Sequence, residues 1–472
     1  MNKNQIQESN IEKMIRFTRS SGNTALSTSV AKMLIRKYGP IDRDELSIKI
    51  NNGEIEKLVA PDREPVLVSR KASECEIGIA RYLRSMAPVA LPFRPTCVGL
   101  NAAQESALCG LVRAGSGVLT GGAGTGKTYV LSRLINEASK HLIVKVAAFS
   151  GKAASVIGNK IDVEATTIHR LLGIRTGQMP FYGPHRFLDC DLLILDEASM
   201  IDSELMNNVM SALAPETRLI LCGDINQIQP IGVGCPFKDI VNNGFMTTFM
   251  LKEPTRQAAD SGIIRLAYSI LTGSPRLVAG GGVHIGGKEI VVAPADWWIR
   301  SKEEDRVVIA SYKNPKFAGA TTSINRAVAD KVYGNHKGLK IGERVICIRN
   351  DYEYNVFNGE IYTIIDDKFG LIVTDGKIEK EVDRSMFERA YALTVHKAQG
   401  SEFSDVMFII DPGTSMSMEL LYTAVTRAKK NLILQGSPAS ITRHVKREER
   451  CTALPYLMLD ESAFNLRVPE WL

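Results

Sequence analysis

No apolar run in this 472-residue chain approaches the roughly 18 residues that a membrane-crossing helix needs, which argues against a helical membrane protein. The first ten residues, Met1 to Asn10, are polar and lack the apolar core of a secretory signal. Cysteine is present eight times, but no two cysteines stand in a Cys-x-x-Cys pair. That spacing excludes the usual zinc ribbons and gives no hint of a disulfide framework. Cys222 and Cys347 lie in apolar runs and read as small core residues. Internal repeats and low-complexity tracts are also lacking, so a solenoid or a disordered tail is not expected. These absences together predict a soluble protein of a reducing cytoplasm, or of the host cytoplasm if a phage encodes it. Strong charge is missing too: the formal net charge is +6. Most of the excess sits in residues 1–97, with sixteen Lys or Arg against eleven Asp or Glu. Such a segment attracts polyanions, or is simply a solvated surface.

What is present is a long chain of ordinary composition, 44% apolar and 23% charged, which predicts two or three domains. Two blocks, 98–255 and 256–436, alternate short apolar strands with helices, the pattern of an α/β fold with parallel sheets covered on both faces. In the first block the strands are expected at Val118–Thr120, Val144–Ala148, Leu192–Leu195 and Leu219–Cys222. In the second they are expected at Val307–Ala310, Tyr391–Thr394, Val406–Ile410 and Leu432–Leu434. Residues 335–389 break the second block with short β-runs and the turn pairs Asn358-Gly359 and Asp375-Gly376, which predicts an inserted small β-barrel. The second block is thus 256–334 with 390–436. Residues 1–97 are expected to be a mostly helical accessory domain, and 437–472 a tail without a readable role.

Gly121-Gly122-Ala123-Gly124-Thr125-Gly126-Lys127-Thr128 has the spacing of a phosphate-binding loop. Its glycines let backbone N–H groups wrap phosphates, Lys127 reaches the β- and γ-phosphates, and the Thr128 hydroxyl can ligate Mg²⁺. A strand precedes the loop, and Val130, Leu131, Leu134 and Ile135 mark a helix after it, as the chemistry requires. Asp196 and Glu197 end the apolar run Leu192–Leu195. Asp196 is placed to hold Mg²⁺, and Glu197 to orient and deprotonate an attacking water. Positive charge around a γ-phosphate must come from elsewhere, and Arg256 and Arg427 are the candidates, although either taken singly reads more readily as a surface ion-pair residue.

The ordered motifs resemble those of superfamily 1 helicases, nearest the RecD-like branch. Leu100-Asn101-Ala102-Ala103-Gln104 resembles the adenine-reading Q motif, and Gly121–Thr128 is similar to motif I. Ala148 to Ala154 and Thr167 to Gly173 resemble motifs Ia and Ib, Asp196-Glu197 motif II, and Gly223-Asp224 with Gln227 motif III. Arg256-Gln257, Leu393 to Phe403 and Tyr422 to Ala428 resemble motifs IV, V and VI. Asn350-Asp351-Tyr352 with Val356 to Gly359 is similar to the SH3-like barrel insertion. The resemblance covers about 98–436 and implies two RecA-like P-loop lobes with ATP between them. It implies Gln104 and Glu402 as further ATP contacts, Gln227 as a γ-phosphate sensor, and Arg256 and Arg427 acting across the cleft. It also implies single-strand DNA contacts by Phe149, Ser150, Lys152, Thr167 and His169 from the first lobe, and by Thr394, His396, Lys397 and Ser401 from the second. Against these roles, Ser150 and Thr167 read equally as helix caps and His169 as a core histidine.

Departures from the family pattern are specific. Only Ile174 to Leu188 remain where the strand-splitting hairpin is usually longer; Phe181 and Tyr182 make this either a short aromatic pin or a plain loop. Residues 1–64 match no segment of the family, and no nuclease or relaxase segment is recognisable. The expected function is an ATP- and Mg²⁺-dependent DNA helicase moving 5′→3′ on single strands and forks in replication, recombination or repair. It is expected to act as a monomeric motor, with replication or recombination proteins as its protein partners. Alternatives are a translocase that strips proteins but unwinds poorly, and a non-enzymatic nucleic-acid binder, with RNA open as a substrate.

Overall fold

The computed structural model describes residues 9–459 apart from 61–62, 88, 176–177, 286–292, 302–304, 311–318, 350, 352–353, 355, 369, 411–415, 437–444 and 446. For 60, 256 and 257 it describes the backbone only. Asn350 and Tyr352 of the barrel motif, and the side chain of Arg256, therefore lie outside the described residues.

Six strands of the first lobe form one parallel sheet. Its order across the sheet is Ala165–Thr167, Val144–Ala148, Leu192–Asp196, Arg218–Gly223, Gly117–Gly121 and Thr248–Leu251. Successive residues in these strands serve opposite faces. Val118, Leu193, Leu195, Leu219 and Leu221 enter one core with Met206 and Val209 of the helix Ser203–Ser211. Leu119, Leu192, Ile194, Ile220 and Cys222 enter the other, with Leu108, Leu111, Leu131 and Leu134 of the helices Ala102–Ala114 and Lys127–Ala138. Burial on both faces is why these strands are continuous apolar runs rather than alternating ones. The four expected strands are present, and two edge strands, Ala165–Thr167 and Thr248–Leu251, are added to them.

The second lobe is a five-stranded parallel sheet in the order Val283–Ile285, Ala428–Gln435, Phe403–Ile409, Arg306–Ala310 and Ala392–Thr394. Val307 and Ile309 face one core, and Val308 and Ala310 the other. Between the helix Thr321–Tyr333 and the strand Ala392–Thr394 the chain leaves the lobe to build a five-stranded antiparallel sheet. Its last strand, Phe387–Arg389, returns to pair with its first, Arg344–Cys347. The pairing leaves Glu379–Val382 and Phe387–Arg389 as the two edges of an open sheet rather than closing the expected barrel, and Val345, Tyr362, Val373, Val382 and Phe387 pack into a core of the insertion's own. Asp375 accepts the N–H groups of Lys377 and Ile378 at the expected turn, where Gly376 adopts φ 90°.

The N-terminal module is mostly helical, as expected, and adds two features to that expectation. Besides the helices Asn10–Ser20, Thr28–Tyr38, Arg43–Asn51 and Arg70–Ser85, it contains an antiparallel sheet of Ala25–Ser27, Ile55–Ala60 and Arg63–Ser69. It also shares a core with the first lobe: Ile79, Ala80 and Leu83 pack in the cluster that holds Leu205 and Met206. The tail is likewise structured. Leu454, Tyr456 and Leu457 join the same cluster, and buried Glu76 accepts the N–H groups of Ala453 and Leu454 and the hydroxyls of Thr24 and Ser203. One carboxyl group thereby joins the N-terminal module, the first lobe and the tail. Among the described residues, no helix is long and apolar enough to cross a membrane.

Candidate nucleotide site and strand-facing surface

Three neighbouring strands of the first lobe end at one place, the carboxyl edge of the sheet where ligands of open α/β folds bind. Gly117–Gly121 leads into the phosphate loop, Leu192–Asp196 ends on the acid pair, and Arg218–Gly223 leads to Asp224 and Gln227. Gly126 caps the helix Lys127–Ala138 with φ 86°, and a Cβ there would meet Gln104 Nε2, so the loop can close only over glycine. The Lys127 ammonium donates to the carbonyls of Gly121 (2.7 Å) and Gly122 (3.1 Å). Thr125 Oγ1 donates to the Gly122 carbonyl, which fixes the loop from inside. Buried Gln104 donates to the Thr125 carbonyl at 3.1 Å and accepts the N–H of Asn101, so its amide braces the loop.

Glu197 is the one non-glycine residue with positive φ among the described residues, at 53°. Such strain persists where the surroundings over-determine it, and it collects at functional sites. Here it turns Glu197 out of the strand while its N–H donates to Asp196 Oδ1 at 2.9 Å. Burial and the adjacent Asp196 push the Glu197 carboxyl up to about 7, against the opposing pull of Arg427 and Lys127. Burial also raises Asp196. Thr128 stands one residue past Lys127, at the start of the same helix. Among the described residues, no group of three or more His, Cys, Asp or Glu is arranged to hold a metal ion on its own. One hydroxyl and one carboxylate beside a phosphate loop fit Mg²⁺, which keeps much of its water and takes phosphate oxygens, better than a cation needing a full protein cage.

The second lobe reaches this site through the helix Met418–Val425. Tyr422 accepts the N–H of Ala123 at 2.8 Å and donates to Asp224 Oδ2 at 2.7 Å. Thr423 Oγ1 accepts the N–H of Ile228 at 2.8 Å, and Gln399 Nε2 donates to the Ile228 carbonyl at 3.3 Å. Gln227 is buried beside them, and its Oε1 has no hydrogen-bond partner among the described residues. The Thr255 N–H donates to the Gly124 carbonyl, which sets the start of the helix Arg256–Ala259 against the loop. Arg427 is buried and donates to the carbonyls of Thr423 and Ser401, close enough for Glu197 to feel its charge. Glu402 instead pairs with Lys429 at 3.3 Å and is exposed; its charge is felt by Lys152. The sequence reading missed Tyr422 and Thr423 as individuals. They lay inside the motif VI segment, but their partners are about 200 to 300 residues away.

The residues expected to contact a single strand form two copies of one local device. A short strand ends on a threonine that caps a single helical turn carrying His and a basic residue. In the first lobe this is Thr167, with His169 and Arg170; in the second it is Thr394, with His396 and Lys397. Thr167 Oγ1 accepts the N–H of Arg170, and Thr394 Oγ1 that of Lys397. Ser150 likewise caps the helix Gly151–Gly158. Phe149 and His169 meet edge to face at 6.3 Å, and burial lowers the His169 pKa. Lys397 is paired with Glu388 at 2.6 Å, and Ser401 is buried. Lys152 lies over the Phe403 ring at 4.6 Å, where burial lowers its pKa to about 8.

In the candidate pin, Gly183 and Arg186 bond to each other and close a tight turn. Phe181 is 54% exposed under the Arg186 guanidinium at 3.9 Å, whereas Tyr182 packs on the lobe core.

The model of the AAA domain matches residues 99–286, and that of the UvrD-like helicase C-terminal domain matches 389–435. The chain is 31% identical over 389 residues to the ATP-dependent RecD2 DNA helicase of Deinococcus radiodurans, covering 75% of this chain and 52% of that protein. It is 27% identical over 399 residues to the RecBCD enzyme subunit RecD of Mycolicibacterium smegmatis, covering 71% of each. The chain therefore spans about half the length of the first of these relatives. A Bacteroides Pif1 helicase in complex with ADP-AlF3 and ssDNA aligns at TM-score 0.49 and 18% identity, over 72% of this chain and 94% of that one. With the phosphate loop, the acid pair and the second-lobe helix arranged as described, the chain is similar to DNA helicases of the RecD type over the residues these matches cover.

Proposed function

We propose that this protein hydrolyses ATP between its two lobes and uses the cycle to move along single-stranded DNA, 5′→3′, opening the duplex ahead. The observation that carries the reading is the convergence at one cleft of a phosphate loop, an acid pair and a hydrogen-bonded helix from the other lobe. The loop N–H groups and Lys127 hold the phosphates, and Glu197 takes a proton from the attacking water, a task suited to a carboxyl whose pKa lies near 7. Thr128 and Asp196 would hold Mg²⁺, which supplies charge neutralisation at the phosphates when bound. Arg427 and Arg256 contribute positive charge from the second lobe, as phosphoryl transfer requires.

Gln227 and Ile228 link this chemistry to the strand side, because Gln399, which holds Ile228, lies in the segment that carries Thr394, His396 and Lys397. Hydroxyls and lysines tracking a backbone, with Phe149 and His169 against bases, suit binding without sequence preference. Replication, recombination or repair is the setting this activity fits. The tight turn at Gly183 and Arg186 favours a second reading, a protein-displacing translocase that unwinds weakly.

The test is ATP turnover with and without oligo-dT. Lys127→Ala is expected to abolish stimulated turnover while single-strand binding remains measurable. Glu197→Gln is expected to bind ATP and turn over at least about a hundredfold more slowly. Retained turnover in Lys127→Ala removes the site assignment, and normal turnover in Glu197→Gln removes Glu197 as base.

A further inference from the structure

We propose that Tyr422 competes with the nucleotide for the phosphate loop, so that nucleotide entry and release of the second-lobe helix Met418–Val425 are a single exchange. The inference rests on reading Gly121–Thr128 as a nucleotide site and adds a coupling residue to it. The Ala123 N–H is a loop donor with one hydrogen, and that hydrogen is directed at Tyr422 Oη at 2.8 Å. A phosphate oxygen at the same N–H must replace the tyrosine oxygen. The hydroxyl is also fixed from behind, because it donates to Asp224 Oδ2 at 2.7 Å. Asp224 is itself buried, and its Oδ1 accepts the N–H of Asn226. The Tyr422 ring is fully buried, so the hydroxyl cannot swing aside without movement of its helix.

Side chains of the second lobe also crowd the rest of the loop. Tyr268, from the second-lobe helix Gly262–Leu271, places its hydroxyl 2.7 Å from where a Cβ on Gly122 would stand, and that hydroxyl has no hydrogen-bond partner among the described residues. Ala258 lies 2.8 Å from the corresponding position on Gly124. The Lys127 ammonium is bonded to loop carbonyls. A nucleotide therefore gains the loop by exchanging protein contacts for phosphate contacts, and part of its binding free energy goes into breaking the contact with Tyr422.

The exchange has a consequence at the strand side. Tyr422 is followed by Thr423, which holds Ile228, and Ile228 is held in turn by Gln399. Lifting Tyr422 from Ala123 thus disturbs the junction joining the nucleotide site to the strand-facing segment. By linkage, a single strand that favours the displaced arrangement raises nucleotide affinity.

The experiment is calorimetric titration of the full chain with a non-hydrolysable ATP analogue and Mg²⁺, using wild type, Tyr422→Phe, Asp224→Asn and Lys127→Ala. Tyr422→Phe keeps the ring and removes the competing oxygen; it is expected to bind about fivefold more tightly, the weight of one neutral hydrogen bond. Its turnover without oligo-dT is expected to rise, so that the stimulation ratio falls. Asp224→Asn weakens the anchor behind the hydroxyl and is expected to shift affinity in the same direction by less. It serves as the independent variant should Tyr422→Phe lose its fold. A merely structural tyrosine would lower the melting temperature without tightening nucleotide binding. Wild type that binds analogue, lost in Lys127→Ala, with Tyr422→Phe and Asp224→Asn equal or weaker, overturns the competition and leaves the nucleotide site standing. Wild type that binds no analogue overturns both.

Discussion

Thr423 of the second lobe and Ile228 of the first share a hydrogen bond of 2.8 Å, made by a fully buried threonine hydroxyl oxygen and a backbone N–H. Because Gln399 takes the carbonyl of the same residue, the second lobe grips one residue of the loop that follows the strand Arg218–Gly223 at both its polar groups. Thr423→Val keeps the shape and removes the acceptor. It leaves a buried N–H without a partner, at about 1–3 kcal/mol. The expected outcome is a lower denaturation midpoint and a loss of oligo-dT stimulation that exceeds any loss of nucleotide affinity. Steady-state turnover beside analogue titration checks this; intact stimulation contradicts the role of the junction.

Arg427 is held by the carbonyls of Thr423 and Ser401, with Thr426 Oγ1 accepting a further bond. Lysine cannot reproduce that planar fork. Arg427→Lys is expected to lower the maximal turnover rate by at least about a hundredfold, since charge placed at a transferring phosphoryl group acts mainly in the transition state. Nucleotide affinity should change little. A large affinity loss with normal turnover places Arg427 in ground-state binding instead.

The two aromatic residues of the hairpin separate by environment. Phe181 is exposed and covered by Arg186, whereas Tyr182 is packed on the first-lobe core. Phe181→Ala is expected to reduce strand separation several-fold while leaving oligo-dT-stimulated turnover near wild type. Tyr182→Ala is expected to lower the melting temperature, because it removes buried aromatic area. Equal losses of unwinding and turnover in Phe181→Ala defeat the pin.

Asp239 is buried near Glu76, and burial, then the Glu76 charge, pushes its carboxyl up to about 8. A folded pKa raised above an unfolded value of about 3.9 means that the folded chain holds a proton the unfolded chain has lost. Stability from this group is fully present below about pH 4 and falls as pH rises to about 8, then levels off. Asp239→Asn is expected to flatten that part of the profile, so that its advantage over wild type grows from pH 5 to pH 8. Melting curves across that range test it; parallel profiles contradict a raised Asp239.

The first lobe's buried strands were legible because both faces of its sheet are covered, which leaves uninterrupted apolar runs such as Leu192–Leu195. The phosphate loop was legible because its glycines and Lys127 are adjacent in the chain. The edge strand Thr248–Leu251 is only partly buried, and its apolar run is just Phe249-Met250-Leu251. The sheet of the N-terminal module was hidden for a similar reason, since Ile55–Ala60 and Arg63–Ser69 mix charges with apolar residues. The docking of the tail depends on Glu76, a carboxylate in a charged helix whose four donors come from three remote segments. Tyr422 illustrates the same limit, because one hydroxyl joins Ala123 to Asp224 only after two lobes have folded together.

The most direct measurement of the central claim is strand separation on 5′-tailed, 3′-tailed and blunt duplexes, with ATP and Mg²⁺, for wild type and Glu197→Gln. The expected outcome is release from the 5′-tailed duplex by wild type, little from the other two, and none by Glu197→Gln. Absence of ATP-dependent release from every tailed duplex contradicts it, as does release that Glu197→Gln performs equally well.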